Sequence, residues 1–169
     1  DMEGVEMFFK AQRTVFDDAK KRLSSILKER DYFAADADTL NVISTMSTIL
    51  AMPKPYSHIG ELPELVQKVK TAYDGLLDMK REEVAENIRQ CMQDVHQLAS
   101  EARDAGALLR QADDHFVNKR EAAKTATSLT ELDAMITQLL NYKDTICRRM
   151  EVMTASRQPV SYTHLRAHE

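Results

Sequence analysis

The chain has 169 residues, 43% hydrophobic and 30% charged, with a formal net charge of −4, which bounds it to one domain or one long helical assembly. Four glycines and four prolines are too few for a turn-rich β fold, and the acidic balance leaves no general basic footprint for nucleic acid. No apolar run approaches the roughly 18 residues that span a bilayer, and the acidic start Asp1-Met2-Glu3-Gly4 is not a signal peptide.

From Glu3 to about Tyr32 the apolar residues recur at helical spacing. Val5, Phe8, Val15, Ala19 and Ile26 form one stripe, with Phe9, Phe16 and Leu23 beside it, which predicts an amphipathic first helix. Asp36-Ala37-Asp38 can cap a shorter second helix holding Leu40, Ile43, Met46, Ile49 and Leu50, and Pro53 ends it because a residue before proline avoids the α region. The stretch from Pro53 to Pro63 holds three of the four prolines and is the one substantial loop. Pro63 suits the first turn of the next helix, where a missing N–H is harmless.

From Pro63 the pattern stays helical for about 60 residues. Leu65, Val69, Ala72, Leu76 and Met79 lead, after a slip of five, to Val84, Ile88, Cys91, Val95, Leu98, Ala102, Ala105, Leu109, Ala112 and Phe116. Either one very long helix or two nearly collinear ones accommodate this, with Gly75 and Gly106 as the weak points. Ser128-Leu129-Thr130-Glu131 is a capping box that starts a last helix, whose stripe is Leu132, Ile136, Leu139, Lys143, Ile146, Met150 and Met153. The short connection before it predicts that it doubles back antiparallel on the helix ending near Lys124.

Both ends of the chain bear on its nature. The start at Asp1, with Met2 behind it, reads as a fragment of a larger protein. Residues 161–169, Ser161 to Glu169, resemble a translated sequencing-adapter artefact and are set aside; with them go His164 and His168, whose spacing of four would otherwise invite a metal. The expected division is a helical module over 1–155 and a disordered or artefactual tail over 156–169.

Candidate chemistry is thin. A carboxylate di-metal bundle needs Glu-x-x-His pairs, but Pro55, Gln93 and Ala112 stand three before His58, His96 and His115. Asp113-Asp114-His115 groups three ligand types whose side chains diverge around a helix. Cys91 and Cys147 build no disulfide framework and have no zinc spacing, and each reads as a small hydrophobe on or beside a stripe rather than a nucleophile. There is no phosphate-cradling glycine loop. Lys20-Lys21-Arg22 and Arg148-Arg149 with Lys143 and Arg157 read as solvated helix faces before phosphate contacts. Most of the nine methionines lie on or beside stripes, where they fill cores or furnish an adaptable binding surface. Lys143 interrupts the last stripe in the manner that sets register or oligomer state. Lys143, Arg148, Arg149, Met150 and Met153 are therefore the candidate partner-facing residues.

The run from Ile49 through Pro53-Lys54-Pro55-Tyr56-Ser57-His58-Ile59-Gly60-Glu61-Leu62-Pro63, continuing to Leu76-Leu77-Asp78-Met79-Lys80-Arg81-Glu82-Glu83-Val84, resembles the helical C-terminal portion of the P-loop ATPase component of BREX phage-defence systems, called BrxC or PglY. The likeness is one of element order, a proline-punctuated loop followed by a long helix with a Lys-Arg step. It implies a bacterial assembly acting against phage DNA, with ATP bound by the parent protein upstream of Asp1 and no nucleotide residue in this segment.

The expected fold is all-α: an elongated antiparallel helical bundle or coiled-coil hairpin with one very long central helix. Helices 1 and 2 should cover its first half and the last helix its second half. The expected core is Phe9, Phe16, Leu23, Leu65, Val69, Leu76, Ile88, Val95, Leu98, Leu109, Phe116, Ile136, Leu139 and Ile146. The expected function is a non-catalytic, cytoplasmic interaction or scaffolding module with no cofactor of its own, whose partner is another protein or a second copy. The rivals are a stand-alone coiled-coil adaptor or oligomerisation protein, an enzyme fragment completed by missing sequence, and a weak nucleic-acid or membrane-surface helix whose binding would collapse with salt.

Overall fold

The computed structural model describes the backbone of residues 1–167, and the side chains of residues 1–54 and 56–154. Among the described residues the protein is all-α, with five α-helices, two short 3-10 turns and no strand. It divides into two units, Asp1–Leu77 and Asp78–Glu169.

In the first unit, α1 (Met2–Leu27) is capped by Asp1, whose carboxylate accepts from the Glu3 N–H at 3.2 Å. The helix stops short of Tyr32. The chain tightens into a 3-10 turn over Arg30–Phe33, and this brings Phe33 into the core, 1% exposed. Asp36 caps α2 (Ala37–Leu50), accepting from the Thr39 N–H at 3.1 Å and from the Thr39 hydroxyl. Those hydrogen bonds hold the Asp36 carboxyl below its ordinary range, the expected consequence of bonding to the charged form. Beyond α2 a second 3-10 turn, Pro55–His58, leads into α3 (Leu62–Glu101) with Pro63 in its first turn.

The core of this unit joins Ala19, Leu23 and Ile26 of α1 to Phe33, to Ile43, Met46 and Ile49 of α2, and to Leu62 and Val69 of α3. Each large side chain of that set contributes about 1.5–3 kcal/mol by leaving water. Tyr73 adds a tie from α3, its hydroxyl donating to Glu29 at 2.5 Å.

The long central helix is present in the 40-residue α3, but it does not continue in line. Asp104 adopts φ 61°, a left-handed conformation that Asp tolerates better than most residues, and α4 (Gly106–Thr125) runs back. His96 and Asp113, 17 residues apart, meet at 2.7 Å, whereas one straight helix would hold them about 25 Å apart. The collinear arrangement is thus replaced by a hairpin. Gly106 opens α4 rather than weakening a continuous helix, and Gly75 lies within α3. The slip of five also dissolves: Met79 is exposed, and the buried series runs Leu77, Val84, Ile88, Cys91, Val95, steps of 7, 4, 3 and 4.

Ser128 caps the last helix as expected, its hydroxyl accepting from the Glu131 N–H at 3.3 Å at the start of α5 (Leu129–Ala167). Helix α5 returns antiparallel along α4, bringing Tyr142 against His115 and Gln138 to Lys119. Against α3 it runs parallel, because Lys80 meets Asp133 at 2.7 Å and Asp94 meets Lys143 at 2.6 Å in the same chain order. Val84, Ile88, Val95, Phe116, Leu132, Leu139 and Ile146 are buried here. The α5 backbone is helical past Pro159, where the apolar stripe alone would stop near Met153. The tail side chains, Arg157 among them, lie outside the described residues.

The expected core needs one reversal. Phe9 is 62% exposed, and Val5, Phe8 and Met7 are exposed with it. Phe16, Leu65, Leu76, Leu98, Leu109 and Ile136 are half-buried. The reason is length. Helix α1 has 26 residues and α2 has 14, about 39 Å against about 21 Å, so α2 can cover only part of the α1 stripe.

Candidate interaction surface

The residues expected to face a partner are divided by the fold. Met150 is fully buried in the chain's own core, and Met153 is half-buried. Lys143, half-buried, donates to Asp94 across the α3–α5 contact at 2.6 Å. Its pairing with Asp94 raises the Lys143 ammonium and lowers the Asp94 carboxyl. The polar break in the last stripe therefore has an internal partner that locks the register of α5 on α3. Arg148 and Arg149 are exposed, and Arg148 bonds Asp144 at 3.3 Å one turn back. No common site unites these five residues.

Several polar side chains of the second unit meet across helices. His96 bonds Asp113, so Asp113 and His115 do not converge on one point. His115 instead stacks on Tyr142 with centroids 3.6 Å apart and planes 15° from parallel, and Phe116 meets the same Tyr142 edge-on. The His115 Nε2 and the Tyr142 hydroxyl are buried without a protein hydrogen-bond partner. Desolvation, helped by Lys119, lowers the His115 pKa, and burial raises that of Tyr142. Both groups are held neutral near pH 7, with no nucleophile bonded to either. Burial also raises both thiols, Cys91 and Cys147, more than nearby Lys143 lowers them, which is opposite to the activation a nucleophilic cysteine needs. Among the described residues no group of three or more His, Cys, Asp or Glu could hold a metal ion, and no helix is long and apolar enough to cross a membrane.

What stands out instead is the first half of α1. Met2, Val5, Met7, Phe8 and Phe9 are all exposed, while the same stripe is buried at Ala19, Leu23 and Ile26. Phe8 and Phe9 meet edge-on at 6.0 Å. Two turns further on, Phe16 packs on Tyr56 of the second 3-10 turn at 5.3 Å. Between them lies a groove of about 550 Å³ lined by Phe9, Lys10, Gln12, Arg13 and Tyr56, with an apolar floor and a cationic edge. Contiguous exposed apolar surface rimmed by charge marks a contact site more often than scattered exposed residues do.

Sequence reasoning placed Phe9 in the core and so missed this surface. The signal was available in the mismatch between a stripe starting at Val5 and a second helix of barely four turns. No family model matches the chain, and no solved structure matches it.

Proposed function

We propose that the chain is a non-catalytic helical interaction module whose contact surface is the uncovered half of α1. The observation that carries this reading is the exposure of Val5, Phe8 and Phe9 on a stripe whose continuation is core. Holding that much apolar surface in water costs about 25 cal/mol per Å² relative to covering it, and a partner removes the cost. Among the described residues the cross-helix contacts of the second unit, Lys80–Asp133, His96–Asp113 and Lys143–Asp94, suit side chains that hold helices in register. The resemblance to the helical portion of the BREX ATPase gives the module a place as a docking arm of a larger cytoplasmic protein that binds ATP elsewhere. In this reading α3, α4 and α5 form a bundle or coiled-coil arrangement.

The test is photocrosslinking in the source cell, with a benzophenone amino acid in place of Phe9 and, as control, in place of exposed Ser25. The expected result is a discrete protein adduct from position 9, lost on Val5→Asp, and none from position 25. The absence of any adduct from position 9 would overturn the reading.

A further inference from the structure

The charges beside the uncovered stripe point to what covers it. Val5, Phe9, Gln12 and Phe16 follow one another at spacings of 4, 3 and 4, so they lie along one seam of α1. Glu6 and Arg13 are seven residues apart and occupy equivalent positions on one flank of that seam. The opposite flank at the same level holds Phe8 and Val15 and no charge. Among the described residues neither Glu6 nor Arg13 has an ion-pair partner, although Lys10 stands four residues beyond Glu6.

Helix pairing treats such a one-sided pattern differently in its two orientations. In a parallel pair each flank meets the opposite flank of the neighbour, so Glu6 and Arg13 would face Phe8 and Val15. In an antiparallel pair each flank meets its own counterpart, so Glu6 of one helix meets Arg13 of the other, and the reverse contact follows from the two-fold axis. The register that makes both ion pairs also sets Phe9 against Gln12 of the neighbour and Val5 against Phe16. The open groove beside Phe9 and Gln12 has room for the ring arriving from the other copy. A polar Gln12 in the seam is the kind of residue that fixes a single register.

We propose that the occupant of this surface is a second copy of the chain, its α1 lying antiparallel on the first through residues 5–16. This rests on the reading of α1 as a contact surface and names its partner. The contact is one helix pair, at the small end of specific interfaces, so a dimer that dissociates in the micromolar range is expected.

The test is sedimentation velocity of the full chain over roughly 1 to 500 µM, with circular dichroism to show that each variant keeps its helicity. Wild type should pass from monomer to dimer, and Phe9→Asp should stay monomeric. Glu6→Arg and Arg13→Glu each set like charges together at both ends of the seam and should weaken the dimer about tenfold. The two single variants mixed should recover a heterodimer, and the double reversal E6R/R13E should recover the homodimer, because every cross-helix pair is again of opposite sign. A dimer indifferent to all these charge changes would overturn the antiparallel pairing. A chain that stays monomeric throughout would overturn self-association: adducts to a different protein at Phe9 would then leave the contact-surface reading standing, and no adduct would remove both.

Discussion

The two halves of α1 carry one continuous apolar stripe and have opposite fates. Residues 15–26 turn Val15, Phe16, Ala19, Leu23 and Ile26 onto α2 and the start of α3, while residues 2–9 turn Val5, Phe8 and Phe9 to water. Period and composition are alike, so neither decides burial. The difference lies in what the rest of the chain can reach: the 14 residues of α2 run out before the stripe does. A helical stripe identifies a face, and the lengths of the neighbouring elements identify how much of that face is spoken for.

The contrast breaks most directly at its covered end. Ile26, 3% exposed within the first core, should cost about 2–5 kcal/mol on Ile26→Ala, from lost transfer energy and the cavity left behind. Urea unfolding followed by circular dichroism reads this, and a loss below 1 kcal/mol would mean that the covered half is not the anchor the packing indicates. A smaller effect is expected from the element that does the covering. Asp36→Ala removes the cap of α2 and should lower the urea midpoint by less than Ile26→Ala does, measured the same way. Because the Asp36 carboxyl lies below its ordinary value, its contribution is present above the unfolded pKa and is lost as pH falls through the folded one. Asp36→Ala should therefore also flatten the acid limb of the stability profile.

Much of this was legible in the residues, and the failures share a cause. The helical class, the Asp36 cap, the Ser128 cap and the return of α5 on α4 each depend on local chemistry within a few positions, and each is found. The hairpin at Asp104 was missed because the stripe runs on through Ala102, Ala105 and Leu109 without a proline or a cluster of turn residues. The break spans residues 102–105, with Asp104 at φ 61°, while the apolar spacing continues. Phe9 was misplaced for the complementary reason, since periodicity counts apolar positions without asking what lies opposite. Lys143 was legible as a polar break, but not its partner Asp94, because a contact 49 residues away depends on the hairpin that was missed.

The second unit supplies a pH handle that leaves α1 alone, which sharpens the contrast further. His115 packs on Tyr142, with Lys119 as the nearby cation, and its pKa is lowered from 6.5. The unfolded chain thus takes up the proton more readily than the folded one. Stability from this site is complete above about pH 6.5 and falls as the pH drops through the folded pKa. His115→Phe keeps a ring on Tyr142 and removes the proton. Wild type should lose more stability than the variant between pH 7 and pH 5 in thermal unfolding, and parallel profiles would show that burial of His115 is not felt in the titration.

The smallest expected effect is the most discriminating for the α1 contrast. Phe9→Ser removes a large aromatic side chain from a stripe that is core a few turns later, so a reading by periodicity alone expects a loss of about 3–5 kcal/mol. With the ring 62% exposed, the loss in the monomer should stay within about 0.5 kcal/mol, the usual range for surface positions. The measurement belongs at low micromolar concentration or below, where any association is minimal and mass action adds nothing to the apparent stability. At high concentration the same substitution should lower the melting temperature if wild type is then dimeric, because only wild type gains from association. A large loss at low concentration would mean that α1 folds back over Phe9 in solution, and the two halves of the stripe would no longer differ.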